Sequence, residues 1–77
     1  MEKSIKLIWD FRGIDAEKTA VHHTKHLEEF SALEKLAANT GTEKITDLHF
    51  TAFLTIPENL LQTLKHRLKP HRAQWAD

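Results

Sequence analysis

From Ile5 to Phe11 the apolar residues Ile5, Leu7, Trp9 and Phe11 alternate with Lys6, Ile8 and Asp10, the period of two that a strand with one buried face requires. Arg12-Gly13-Ile14-Asp15 breaks the alternation. Gly13 can take positive φ there, and Asp15 stands where a helix cap belongs, ahead of Glu17 in the first turn. The helix is predicted to run from Ala16 into the region of Leu36, and Asn39-Thr40-Gly41 reads as its stop signal. At roughly 100° per residue, Ala16, Ala20, His23, Leu27 and Phe30 fall on one stripe. His23 therefore sits in the middle of the face expected to meet the sheet.

Lys44 to Ile56 reads as one long second strand. Leu48, Phe50, Ala52, Leu54 and Ile56 form its core side, while Ile45, Asp47, His49, Thr51, Phe53 and Thr55 form its back. Pro57 suits the first turn of a closing helix, Leu60, Leu61, Leu64 and Leu68 give that helix a narrow apolar stripe, and Pro70 ends or kinks it. His71 to Asp77 is expected to be a flexible tail with Trp75 as its one large apolar anchor. The prediction is a single α+β domain spanning residues 1–77, strand-helix-strand-helix, with helices on one face of the sheet in two layers.

A strand, crossover helix and strand in one sheet run parallel with a right-handed crossover. Two strands alone are marginal and leave open edges. A chain of 77 residues without cysteine is also near the size at which one core barely outweighs chain entropy, and disulfide support is excluded. A homodimer follows as the expected completion, with Ile8, Ile45, His49 and Phe53 near the interface. The alternative is that residues near Thr42 to Asp47 make a third strand and close a monomeric sheet.

Charge narrows the range of partners. Eleven basic and eleven acidic side chains give no long-range pull toward nucleic acid or anionic lipid. The N-terminal apolar stretch is interrupted by Lys6 and stopped by Asp10, so it is no signal segment, and no run approaches the roughly 20 apolar residues of a membrane span. The expected location is the cytoplasm. Basic residues gather locally at Lys65, Arg67, Lys69 and Arg72, a candidate contact for phosphate or another anion, with Trp75 nearby as a stacking surface. A cluster of basic residues at a helix C-terminus is also ordinary helix chemistry, and nucleic acid is not the expected partner.

The candidate chemistry rests on histidine. Of six, His22 and His26 are four apart on the helix, the spacing that lets two imidazoles hold one zinc ion. The zinc-protease motif places Glu directly after the first histidine, where this chain has His23, so that reading fails. His23, with Trp9 and Phe50, is the candidate centre of a ligand pocket between helix and sheet, because a buried imidazole must hydrogen-bond or line a cavity. The ordinary alternative is a satisfied structural histidine. No catalytic residue and no cofactor is predicted: two scattered glycines build no phosphate loop, and Ser4 and Ser31 have no nucleophile-elbow context.

The stretch Leu7-Ile-Trp-Asp-Phe-Arg-Gly, followed by Asp15-Ala-Glu-Lys-Thr-Ala-Val-His-His-Thr-Lys-His-Leu-Glu-Glu-Phe, resembles small bacterial proteins of unassigned function. More remotely, a strand followed by a histidine-bearing helix is similar to the dimeric α+β barrel proteins. That resemblance covers the first half of the chain and implies half of a ferredoxin-like fold, dimerisation through the sheets, and a cleft between helices and sheet. The last strand of that pattern is not seen in the sequence. The function expected is a homodimeric binding domain, with a small enzyme or ligand-binding pocket at His23 as the alternative and metal binding by His22 and His26 as a third.

Overall fold

The structure, a computed structural model, describes residues 3–36 and 39–76. The chain runs β1 (Ser4–Arg12), α1 (Ala16–Leu33), β2 (Asn39–Thr46), β3 (His49–Pro57), a single 3-10 turn (Glu58–Leu60), α2 (Leu61–Leu68) and β4 (Arg72–Trp75). The four strands form one sheet in the order β2-β3-β1-β4, with every neighbouring pair antiparallel. Both helices pack on one face, so the domain is α+β with the β-α-β-β-α-β topology of a ferredoxin-like fold.

Several sequence expectations are corrected. The two strands predicted to run parallel do not: β1 pairs with β3, the main part of the predicted second strand, in antiparallel fashion, and β2, which runs parallel to β1, lies beyond β3. The long strand over 44–56 is instead a hairpin. It turns at Asp47-Leu48, with a register irregularity between Lys44 and Thr46, so Leu48 leaves the core and is exposed. Asn39-Thr40-Gly41 opens β2 and does not stop α1.

The stop for α1 lies earlier. Lys35 takes φ 54°, its N–H donates to Ala32 O, and the Leu36 N–H donates to Ser31 O at 2.9 Å. That pair of bonds is a Schellman motif closed on lysine where glycine is usual, and Leu36 packs on the core as the motif's apolar contact. Pro57 ends β3 in extended conformation and leads into the 3-10 turn, one step ahead of the helix turn predicted for it. Lys69, in the left-handed region, closes α2 just before Pro70. The segment read as a tail carries β4, which pairs with Ile5 to Ile8 of β1.

The alternation in β1 and β3 does decide the core. Ile5, Leu7 and Trp9 meet Ala52, Leu54, Ile56, Leu27 and Leu64 in one apolar cluster, with Leu60, Leu61, Leu68 and Phe30 packed against it. Ala16 and Ala20 come down on Phe50 in a second cluster, bridged to the first by Phe11. Small residues at 16 and 20 let α1 approach the sheet closely over β3. Leu54→Ala, at a fully buried position in a central strand, is expected to cost about 2–5 kcal/mol, read as a lower urea midpoint with an unchanged slope.

Candidate functional site

β1 shows a different chemistry on each of its faces. Toward the helices, Trp9 and Phe11 flank His23 of α1, with ring centroids 4.9 and 5.6 Å away. The Trp9 indole N–H donates to Leu68 O at 3.2 Å, tying β1 to the end of α2. His23 is half-buried, and its Nε2 is fully buried without a hydrogen-bond partner among the described residues. Burial pushes the His23 pKa below its ordinary 6.5, and the nearby imidazoles of His26, His71 and His22 push the same way. At neutral pH His23 is an uncharged imidazole with an unused ring nitrogen, set between two aromatic rings.

On the opposite, helix-free face, β1 presents Lys6, Ile8 and Asp10. Across the ladder they meet Thr55, Phe53 and Thr51 of β3, and Ile8 and Lys6 meet Arg72 and Gln74 of β4. Ile8 is buried and Phe53 half-buried, and together they form the apolar centre of this face. The Phe53 ring lies over Gly41 of β2, where a Cβ would come within 2.7 Å of the ring carbons, so glycine is what lets the ring lie flat. Lys6 Nζ stands 4.3 Å above that ring and is paired with Glu43.

At the other end of the face Asp10 gathers groups from two other strands. His49 Nε2 is 2.8 Å from Oδ1, and Arg72 approaches both oxygens, with Nε 3.0 Å from Oδ2 and an Nη nitrogen 3.2 Å from Oδ1. Arg72 and then His49 hold the Asp10 carboxyl below the usual carboxylate range, against a desolvation that raises it. The Asp10 backbone N–H donates to Nδ1 of His71 at 2.8 Å, which makes Nδ1 of that ring an acceptor and leaves its Nε2 to carry the proton. This cluster was not anticipated, because its members come from three strands. The alternation that puts Asp10 and His49 on the same face as Ile8 and Phe53 was the available signal.

The chain matches no family model, no curated protein and no solved structure. The site therefore has to be read from its own geometry.

That geometry joins some of the predicted site residues and separates others. His23 and Trp9 are in contact, whereas Phe50 belongs to the other apolar cluster with Ala16 and Ala20. Ile8, His49 and Phe53 share the helix-free face, but Ile45 lies at the irregularity of the hairpin, half exposed. His22 and His26 do meet, Nε2 to Nε2 at 3.0 Å. No third ligand joins them: among the described residues no group of three or more His, Cys, Asp or Glu is arranged to hold a metal ion, and structural zinc takes four ligands.

The basic quartet is also broken up. Arg67 pairs with Glu34 at 2.9 Å and stacks over Phe30, and Arg72 is committed to Asp10, so of the four only Lys65 and Lys69 have no ion-pair partner among the described residues. Among the described residues no helix is long and apolar enough to cross a membrane.

A lowered histidine pKa fixes a sign. The unfolded chain takes up a proton at the ordinary 6.5 that folded His23 resists, so its contribution to stability is complete above that pH and is lost as pH falls through the depressed folded value. His23→Leu, which removes an unpaired buried nitrogen worth roughly 1–3 kcal/mol, is expected to raise stability. It should also flatten the acid-side decline below pH 6.5, both read by urea denaturation across that range. A decline as steep as in the parent protein would place the acid sensitivity elsewhere.

Proposed function

We propose that this protein is a homodimeric binding domain of the cytoplasm, two copies meeting through the helix-free faces of their sheets. One observation carries the reading: that face has an apolar centre, the partly exposed Phe53 beside the already buried Ile8, ringed by charges of both signs. Lys6 with Glu43 lies on one side, and Asp10 with His49 and Arg72 on the other. A twofold interface brings a patch against its own copy, so it needs both signs on one surface. An apolar centre within a polar rim is the usual anatomy of such contacts.

The small size supports the same conclusion, as does the resemblance to dimeric α+β barrel proteins. The strand shortage does not, since β2 and β4 complete a four-stranded sheet within one chain. The balanced charge favours a protein or small-molecule partner over nucleic acid.

A second reading is favoured by a single atom, the buried and unpartnered Nε2 of His23 beside Trp9. On this reading the helix side of the same domain holds a small organic molecule against the two aromatic rings, with His23 as its hydrogen-bonding group.

Sedimentation at micromolar concentration is expected to give twice the 8.9 kDa chain mass. Phe53→Lys, which sets a second cation beside Lys6, and Thr55→Arg should each return the protein to the chain mass with its circular dichroism intact. A monomeric parent protein at that concentration would sink the dimer. The second reading is tested by native mass spectrometry of protein purified under mild conditions: a small molecule retained by the parent and missing from His23→Leu supports it, and an unliganded parent chain counts against it.

A further inference from the structure

The groove between α1 and β2 lies on the helix side of the sheet, away from both features just described. It is a wide-open groove of about 580 Å³, within the roughly 300–1,000 Å³ of small-molecule sites. Its apolar floor is Val21 of α1 and Phe50 of β3, and its rim carries Lys18, His22 and Lys25 from the helix and Lys44 from the hairpin, against a single acid, Glu17.

The rim follows from helix spacing. Lys18, Val21, His22 and Lys25 stand at i, i+3, i+4 and i+7, so they share one face of α1. Lys44 is paired with Asp47 at 2.8 Å. Lys18 and Lys25 have no ion-pair partner among the described residues.

One wall of the groove is held firmly. Thr24 Oγ1 lies 2.9 Å from Ala20 O and 3.0 Å from Gly41 O, so its proton goes to a carbonyl. Thr42, which lines the groove, then donates to Thr24 across 2.6 Å. With its proton spent there, the Thr42 hydroxyl offers the groove nothing to donate, and the donors for an anion are the lysines. Exposed lysines on a helix are ordinary when they stand over a convex, polar surface. Here two uncommitted lysines two turns apart overhang a concave apolar floor, with Val21 left half exposed between them.

We propose that this groove binds an amphipathic organic anion, a flat apolar body bearing one carboxylate, with the ring on Val21 and Phe50 and the carboxylate between Lys18 and Lys25. The excess of lysine at the rim disfavours cationic ligands of the same shape, the single acid Glu17 offsetting only part of it. The site is independent of the sheet-to-sheet dimer, and neither stands or falls with the other.

The test is an amide NMR titration of the full chain with 2-naphthoate, run beside 2-naphthalenemethanol as its uncharged counterpart. Saturable one-to-one shifts centred on Val21, Thr42 and Phe50 are expected. Binding should weaken by about tenfold for the uncharged compound and for the Lys18→Gln/Lys25→Gln variant, as two partly exposed charge contacts would give. The variant is expected to keep a dispersed spectrum, the mark of a folded chain. The proposal is overturned by shifts that do not saturate, by shifts centred on the helix-free face or along β4, or by equal affinity for the two compounds.

Discussion

Everything in this fold passes through the double pairing of β1. It is the strand bonded to β3 along its whole length on one side and to β4 on the other, and its alternate side chains serve two unlike surfaces. Ile5, Leu7 and Trp9 supply the core under the helices, while Lys6, Ile8 and Asp10 supply the centre of the helix-free face. A slip of one residue would put Asp10 beneath α1 and Trp9 in the open, so the register is fixed by the cost of burying a carboxylate as much as by the gain of burying a ring. Long-range side-chain bonds hold the same register: Trp9 to the last turn of α2, and Asp10 to Arg72 of β4 and His49 of β3.

The helices depend on that strand in different ways. α1 approaches the sheet on Ala16 and Ala20, and it is stopped by a lysine in the left-handed region because Leu36, next along, has a place in the core. α2 is only eight residues long and buries Leu64 alone completely. A helix that short is marginal without tertiary support, and its support comes from the core leucines, the Trp9 bond and the Arg67 contacts with Phe30 of α1 and Glu34 just past its end.

What was legible in the sequence follows the same division. β1, α1, the core side of β3 and the leucine stripe of α2 could be read because their periodicity is carried by large apolar side chains. β2 could be read only as the alternative third strand near Thr42 to Asp47, since its ladder is built from Thr40, Gly41, Thr42 and Glu43, and its turn from Asp47 and Leu48 without glycine or proline. Gly41 looked like a helix stop because glycine usually is one there, whereas its use is to lie under the Phe53 ring. β4 is four exposed residues whose strand character comes wholly from the β1 edge. At the sites, helix spacing put His23 at the sheet and joined His22 to His26. The cluster around Asp10 needed strand order, which one chain of letters does not contain.

The two faces also differ in how they hold charge, and this bears on what can cover them. The buried layer beneath the helices has excluded it: burial beside Trp9 and Phe11 keeps His23 neutral. The centre of the helix-free side keeps its charges but has already matched them, Lys6 with Glu43 and Asp10 with Arg72 and His49. Removing an isolated ion from water costs several kcal/mol, and a partner held in good geometry before burial offsets much of that. A face whose charges are paired within its own chain can therefore be covered by another surface without that surface having to supply counter-ions residue by residue. What the second surface must supply is an apolar counterpart to the partly exposed Phe53, its neighbour Ile8 being already buried, and the same face of another copy carries that ring.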